Sequence, residues 1–382
     1  MATLTGVQYS GIWTMQQVNA AIAAGTWPIA YPASYLWTWG QGAYGQLGLG
    51  NTTYYSSPKQ VGSLANWLSV SGNSATLSVK QDGTLWAWGA NPNGDLGLGN
   101  ITYYSSPKQI GALTSWRTIS MANQGSAFAI KADGTLWVWG DNSYGLLGLG
   151  NATKYSSPKQ LGSLTNWSKI SAGVTSVSAV KTDGTLWTWG ANNQGQLGLG
   201  NITYYSSPKQ VGSLTNWSAV TVGSGHCIAL KTDGTLWAWG NGSSGRLGLG
   251  NSTYYSSPKQ VGALTNWNLI SSANASVFSI KTDGSLWSWG NNGSGQLGLG
   301  NRTNYSSPKQ VGALTSWSKI ASCQIATLSI KTDGTLWSWG GNSDGILALG
   351  NRTNYSSPKQ VGSLTTWQNV FPNWQSGFAI AS

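Results

Sequence analysis

The pattern Leu-Trp-x-Trp-Gly starts at Leu36, Leu85, Leu136, Leu186, Leu236, Leu286 and Leu336, so the chain repeats with steps of 49, 51 and then 50 residues. A second pattern, Tyr-Ser-Ser-Pro-Lys-Gln, starts at Tyr55, Tyr104, Tyr155, Tyr205, Tyr255, Tyr305 and Tyr355. A fixed period of this size restricts a chain to a solenoid, a propeller or an array, because each repeat needs neighbours to bury its apolar face. A length of 382 residues would otherwise suggest two or three domains. The repetition overrides that expectation.

Each repeat reads as four short strands. In the stretch after Ala65, Asn66–Ser71 carries Trp67 and Val70, and Thr76–Lys80 alternates apolar and polar residues. Thr84–Gly89 holds the Trp pair, and Ser105–Gly111 follows a Gly-rich loop. Gln81-Asp82-Gly83 between the second and third segments is a hairpin signal, with Gly supplying the positive φ. Four strands per repeat make a propeller blade. The 53 Gly and 24 Trp against only 4 Phe suit tight turns between short aromatic strands. Trp37 and Trp39 are two apart and share one strand face, which fits packing between neighbouring blades.

The two ends argue for closure. The hairpin Lys-x-Asp-Gly occurs at Lys80, Lys131, Lys181, Lys231, Lys281 and Lys331, and a seventh is missing. The chain instead stops at Phe378-Ala379-Ile380-Ala381-Ser382, which matches the second-strand segment Phe128-Ala129-Ile130-Lys131. The missing third strand is Tyr35–Gly40 at the other end. One blade is therefore expected to be built from both termini, which removes an open sheet edge. The predicted fold class is all-β: a seven-bladed β-propeller over 35–382, closed by its terminal strands. Residues 1–34 lie outside the repeat and are read as an attachment arm. Thr14-Met15-Gln16-Gln17 is a capping-box pattern. Met15, Val18 and Ile22 fall on one face of a short helix that ends near Gly25, before Trp27-Pro28.

The repeat resembles the regulator of chromosome condensation family. The resemblance rests on Leu-Trp-x-Trp-Gly, on Gly-Gln-Leu-Gly-Leu-Gly as at 195–200, on Asp-Gly-Thr-Leu-Trp at 183–187, and on a Pro before a short strand. It implies a seven-bladed propeller closed by its termini and leaves function open, since the fold hosts exchange factors, inhibitors and adhesive modules. The family's Cys-Gly-x-x-His pattern survives only as Gly223 and His226. The wedge and acidic residues of the eukaryotic nucleotide-exchange member have no counterpart, which argues against that role. Residues 1–34 resemble a segment of tailed-phage structural proteins: Gly11-Ile12-Trp13, a short Gln- and Ala-rich helix, then Gly25-Thr26-Trp27-Pro28.

Chemistry-bearing residues are sparse. The chain has no Glu and nine Asp. Six are the repeated hairpin Asp, explained by turn geometry, while Asp95, Asp141 and Asp344 sit at non-equivalent loop positions in different blades. His226 is the only histidine, and its neighbour Cys227 points to the opposite strand face, so a nucleophile–His pair is not expected. Cys227 and Cys323 occupy different repeat positions, which argues against a disulfide or metal framework. The Leu-Gly-Leu-Gly-Asn loops lack the Gly-Lys-Ser/Thr of a phosphate-binding loop. We therefore expect no catalytic residues, no cofactor and no metal.

Only 8% of residues are charged, yet the net charge is +11. The hairpin lysines sit near their Asp and are expected to cancel. Lys59, Lys108, Lys159, Lys209, Lys259, Lys309 and Lys359 are not balanced in this way, and sevenfold repetition places them as a ring. A cationic surface favours anionic partners. Nucleic acid is a poor candidate because no basic run interleaves with exposed aromatics. No stretch approaches the length of a membrane span. The first charged residue is Lys59, so a basic signal-peptide region is absent.

Differences between the repeats concentrate in two stretches. One precedes the second strand (Gly72–Ala75, Gly223–His226 and equivalents), and the other follows the Trp pair (Gln41–Tyr44, Asp141–Tyr144 and equivalents). Both are read as loops, and varied loops on a rigid scaffold are a common plan for a binding face. Tyr44, Tyr144, His226 and Trp374 are the candidate binding residues. Together these features point to a non-enzymatic virion structural or adhesion protein of a tailed phage, such as a tail or head fibre or a decoration module. The arm, through Trp13, Val18, Ile22, Trp27 and Pro28, would hold other virion proteins. The loops would bind a host receptor, a cell-surface glycan or a neighbouring subunit. Localisation would be the virion, after synthesis in the host cytoplasm. The oligomeric state is open, with a trimer among the options. The alternatives are a bacterial cytoplasmic protein-interaction or inhibitor module and a glycan-active enzyme.

Overall fold

The computed structural model describes residues 33–373 and 375–382. The expected arm helix, with Trp13, Val18, Ile22, Trp27 and Pro28, lies outside the described residues, as does Trp374.

The repeats form seven four-stranded antiparallel sheets. Blade 1 consists of Trp67–Gly72, Ala75–Lys80, Leu85–Gly89 and Tyr104–Gln109. Blades 2 to 7 begin at Trp116, Trp167, Trp217, Trp267, Trp317 and Trp367. Blade 7 takes its first two strands from the C-terminus, Trp367–Pro372 and Ser376–Ala381, and its last two from Tyr35–Gly40 and Tyr55–Ala65. The closing pair runs without a bulge from Tyr35 opposite Ala381 to Gly40 opposite Ser376. The termini therefore pair as the missing hairpin required.

First strands of adjacent blades contact one another all the way round, so they line the central channel. They splay too far apart to form a ladder, and hydroxyls bridge them instead. Ser71 Oγ accepts the Met121 N–H at 2.9 Å, Ser120 Oγ that of Ala172 at 2.9 Å, and Ser171 Oγ that of Val222 at 3.0 Å. Farther out, the last glycine of each Leu-Gly-Leu-Gly loop (Leu-Ala-Leu-Gly at 347–350) donates its N–H to the fourth strand of the next blade. The contacts run from Gly50 to Ser105 O (2.8 Å) round to Gly350 and Ser56 O (2.8 Å).

The tryptophans hold the ring together in two ways. In blades 1 to 6 the first Trp meets both members of the third-strand pair edge to face, as Trp167 does with Trp187 and Trp189 at 6.3 and 6.2 Å between centroids, while in blade 7 Trp367 meets Trp37 at 6.1 Å. The second member of each pair is fully buried and donates its indole N–H to the preceding blade: Trp88 to Gln46 O (2.8 Å), Trp239 to Gln196 O (3.0 Å), Trp39 to Ile346 O (2.6 Å). The expected packing between blades belongs to this second Trp, while the first member of the pair faces its own blade.

The hairpin lysines behave differently from expectation. Each hairpin Asp turns to the following Thr or Ser, as Asp183 does with the Thr185 N–H (2.9 Å) and hydroxyl (2.6 Å). Those bonds hold the Asp183 carboxyl below its usual range. Lys181 instead lies buried on two indoles, with Nζ 3.8 Å from the Trp187 centroid and 4.8 Å from that of Trp167. Burial depresses its ammonium pKa, and the nearby Asp183 charge offsets part of that shift. The arrangement is a cation–π sandwich rather than an ion pair. A desolvated contact of this kind contributes about 0.5–2 kcal/mol. Lys181→Met, which keeps the stem and removes the charge, is expected to lower stability by about 1 kcal/mol in a thermal melt. A surface lysine change is usually within about 0.5 kcal/mol, so an equal loss from Lys209→Met would overturn this assignment.

Lys59, Lys108, Lys159, Lys209, Lys259, Lys309 and Lys359 do form a ring. It runs around the outer circumference, on the exposed fourth strands. Each ammonium lies over the Tyr four residues earlier, as Lys209 does over Tyr205 at 5.4 Å. Lysine and proline on an edge strand block pairing with another sheet. The ring thus has a structural explanation that needs no anionic partner.

Candidate functional site

In an antiparallel blade, the loops after the first and third strands emerge at one end, and those after the second and fourth at the other. Both varied stretches fall at the same end. They are hydrogen-bonded to each other within each blade: the Ala90 N–H to Ser74 O (2.9 Å), Ala191 to Thr175 O (2.8 Å), Asn241 to Gly225 O (2.8 Å). The opposite end carries the nearly constant Lys-x-Asp-Gly hairpins and the Gly-Ser/Ala-Leu loops. The first and second strands also differ between blades, but variation among the loops is concentrated at one face of the ring.

Tyr44 and Tyr144 stand on this face about half exposed, at 46% and 50%. Each meets a second tyrosine from the next blade that sequence reasoning did not single out. Tyr44 lies 6.5 Å from Tyr103, and Tyr144 lies 6.1 Å from Tyr204, both edge to face. The partner position, the residue after Asn-x-Thr, is itself varied: Tyr54, Tyr103, Lys154, Tyr204, Tyr254, Asn304, Asn354. The two varied positions thus pair across blade boundaries, and only closure of the ring brings them together.

Between the two tyrosine pairs, at the boundary of blades 1 and 2, the pairing is charged. Lys154 Nζ donates to Asn93 Oδ1 at 2.8 Å and forms an ion pair with Asp141 Oδ1 at 2.8 Å. It is the one salt bridge among the described residues. Asp141 also accepts from the Ser143 N–H (3.0 Å) and hydroxyl (3.1 Å). Asp95 is 4% exposed and packs against the Cα of Gly125, where a Cβ would sit 2.5 Å from the carboxyl carbon. Burial first, and then the Asp141 charge, push the Asp95 carboxyl up to about 7, with Lys154 pulling the other way. Sequence reading left Asp95 and Asp141 as unrelated loop residues in different blades. The signal it missed is that opposite charges, Asp95 and Lys154, replace the usual neutral residues in consecutive repeats.

His226 is a correction. It is fully buried, 0% exposed, inside a sheet whose first strand approaches it through Gly223, where a Cβ would sit 2.1 Å from the ring. It has no surface to offer a partner. Burial and the nearby Arg246 charge drop its pKa to about 3, so it is a neutral packed residue. The thiols of Cys227 and Cys323 are both pushed up by burial, Cys323 to about 11, and neither is a reactive thiolate. Around the channel mouth, first strands and following loops of all seven blades line a cavity of about 190 Å³ that contains no charged side chain. Among the described residues, no helix is long and apolar enough to cross a membrane.

Seven four-stranded blades closed by the terminal strands define a seven-bladed β-propeller. The family model "Regulator of chromosome condensation (RCC1) repeat" matches residues 35–75, 82–129, 133–180, 183–230, 233–278, 283–324 and 333–371, and a second model of that repeat matches 217–246. The chain belongs to the regulator of chromosome condensation repeat family. No curated protein matches it. It is similar in structure to Prp20p from Saccharomyces cerevisiae, described with its binding to Gsp1p and histones, at 18% identity, TM-score 0.82 and 92% coverage of both chains. A structure of yeast RCC1 (Prp20) with Kap60 bound gives 18% identity and TM-score 0.82 over 100% of this chain and 96% of that one. Human WBSCR16 gives 19% and 0.81 over 92% and 99%. At such identities the likeness carries the fold alone.

Proposed function

We propose that this chain is a non-enzymatic protein-interaction module that docks a partner protein on the varied face. The observation that carries the reading is the concentration of loop variation at one end of the ring, against nearly constant hairpins at the other. Within that face, Tyr44, Tyr103, Lys154, Tyr144 and Tyr204 form an arc over four consecutive blades, and tyrosines at a rigid surface are frequent anchors of protein contacts. The protein binding described for the yeast neighbours supports the same class of function.

The finer reading places the module on a tailed-phage particle, with residues 1–34 as the attachment. The motif from Gly11 to Pro28 favours it. One experiment addresses both readings: capture of partners by the full chain and by a chain lacking residues 1–34, alongside mass spectrometry of purified particles. The double variant Tyr44→Ala, Lys154→Ala is expected to lose the captured protein, whereas Thr182→Ala on the opposite face keeps it. Retention by the double variant would sink the face assignment. Particle association that depends on residues 1–34 would establish the virion context, and its absence would leave a soluble partner.

A further inference from the structure

Beside Tyr144 the varied face sinks into a pocket of about 200 Å³. It is centred on blade 3, with Tyr144 reaching in from blade 2 and Ser224 from blade 4. One wall is aromatic: Tyr144 and Tyr204, set edge to face with each ring about half exposed. The other wall is amide. Asn193 commits its Oδ1 to Gln196 Nε2 at 3.3 Å, and Gln194 commits its Oε1 to Asn241 Nδ2 at 3.1 Å. Both side-chain NH2 groups are thereby left as donors for a ligand. Lys, Arg, Asp and His are absent from the lining.

The local turn is shared with one other blade: Tyr144 and Ser244 both take a left-handed conformation, at φ +61 and +60, where Leu146 and Arg246 stand in place of the usual glutamine. Elsewhere the glutamine of Gly-Gln-Leu-Gly fixes the turn through its Oε1, which accepts the N–H of Tyr44 from Gln46, of Gln194 from Gln196 and of Ser294 from Gln296, at 2.8–2.9 Å. Leu146 replaces that glutamine. Tyr144 then adopts φ +61, a left-handed conformation unusual for a bulky residue. Ile346 offers no acceptor either, yet its turn stays ordinary, so Leu146 permits the change rather than forcing it.

A small pit that is aromatic on one side and neutral amide on the other matches a ligand with one apolar face and a rim of hydroxyls. Charged ligands find no counter-charge in it, and a buried apolar side chain would strand the amides. We propose that this pocket binds a single neutral pyranose, stacked on the Tyr144–Tyr204 wall and hydrogen-bonded by Asn193 and Gln194. The proposal rests on the reading of the varied face as a binding surface and specifies that the partner presented there carries sugar.

The test is saturation-transfer NMR on the full chain with the methyl glycosides of glucose, galactose, mannose and N-acetylglucosamine. At least one should receive saturation. Stacking contacts of this size are worth about 0.5–1.5 kcal/mol, so Tyr144→Ala and Tyr204→Ala should each weaken binding by about twofold to twelvefold. Leu146→Gln, which restores the acceptor and the ordinary turn, should weaken it without removing an aromatic ring. Thr182→Ala, in a hairpin at the opposite end of the ring, should leave it unchanged. If none of the glycosides is saturated, or if the signal survives both tyrosine variants, the proposal falls. The protein-docking reading is judged separately, by the Tyr44 and Lys154 variants.

Discussion

Gly377→Val is expected to destabilise the ring at its closing seam by about 1–3 kcal/mol, the usual cost of overpacking a core, and Ala348→Gly in the same chain is expected to restore most of that loss. Valine is an ordinary residue at this position. The equivalents of Gly377, each opposite the buried Trp of its blade, are Thr76, Ala127, Val177, Cys227, Val277 and Thr327. Blade 7 alone has glycine there, and an added Cβ would lie 2.3 Å from the Trp39 indole. The reason is on the other side of the ring. In six blades the buried Trp rests on a loop glycine of the preceding blade, where a Cβ would sit 2.7–3.0 Å from its Nε1, as at Gly97 and Gly148. At the seam that glycine is Ala348, at φ +59. The alanine methyl takes the space the indole would use, and Gly377 opens the opposite side. The two positions have exchanged their small residue. Thermal melts of the two single variants and the double variant form the cycle. Additive losses, with no recovery in the double variant, would show that Trp39 does not couple the two positions.

The second large effect is a pH dependence centred on Asp95. Its carboxyl is pushed up to about 7 in the folded chain, against roughly 3.9 when unfolded. Between those values the folded state holds a proton that the unfolded state has lost. Stability therefore falls as pH rises from about 4 to about 7 and stays low above that, where the buried carboxylate is charged beside Asp141. The groups facing Asp95 are Asp141, Lys154 and Asn93. Asp95→Asn keeps the shape without the titration. It should stabilise the protein at pH 8 by about 1–3 kcal/mol, within the ceiling set by 1.4 kcal/mol per pH unit, and flatten the slope over that window. A parent protein whose denaturation midpoint does not move between pH 5 and 8, or an Asn variant with the same slope as the parent, would show that Asp95 titrates normally. The carboxyl lies on the varied face next to Lys154, so the same titration offers a check on partner affinity near neutral pH.

The fold was legible to an unusual degree, and for a definite reason. A repeat states its strand pattern seven times, so the four segments, the hairpin and the split blade could be read from spacing alone. The strands of blade 1 begin or end within two residues of where the pattern puts them. Less of the site was legible. Tyr44 and Tyr144 stood out because they depart from their repeat. Tyr103 and Tyr204 did not, because tyrosine is common at their position. His226 also stood out, and the structure buries it: a departure from the repeat marks a local difference without saying whether that difference faces solvent or core. The hairpin lysines do feel the charge of their Asp, but the two indoles on which they lie come from other strands of the sheet and could not be read from the hairpin alone.

What the sequence determined by itself is what repeats locally: strand positions, turn chemistry, the number of blades and the need for the two ends to pair. All of these follow from period and residue type within about fifty residues. The tertiary structure alone decided what meets across a blade boundary. Lys154 with Asn93, Asp95 with Asp141 and Lys154, Tyr144 with Tyr204, and the exchange of small residues between Ala348 and Gly377 around Trp39 each depend on where one blade is set against the next. That placement is fixed by indoles donating into the preceding blade and by hydroxyls bridging splayed first strands. No single repeat contains both halves of those contacts, so no reading of one repeat could supply them.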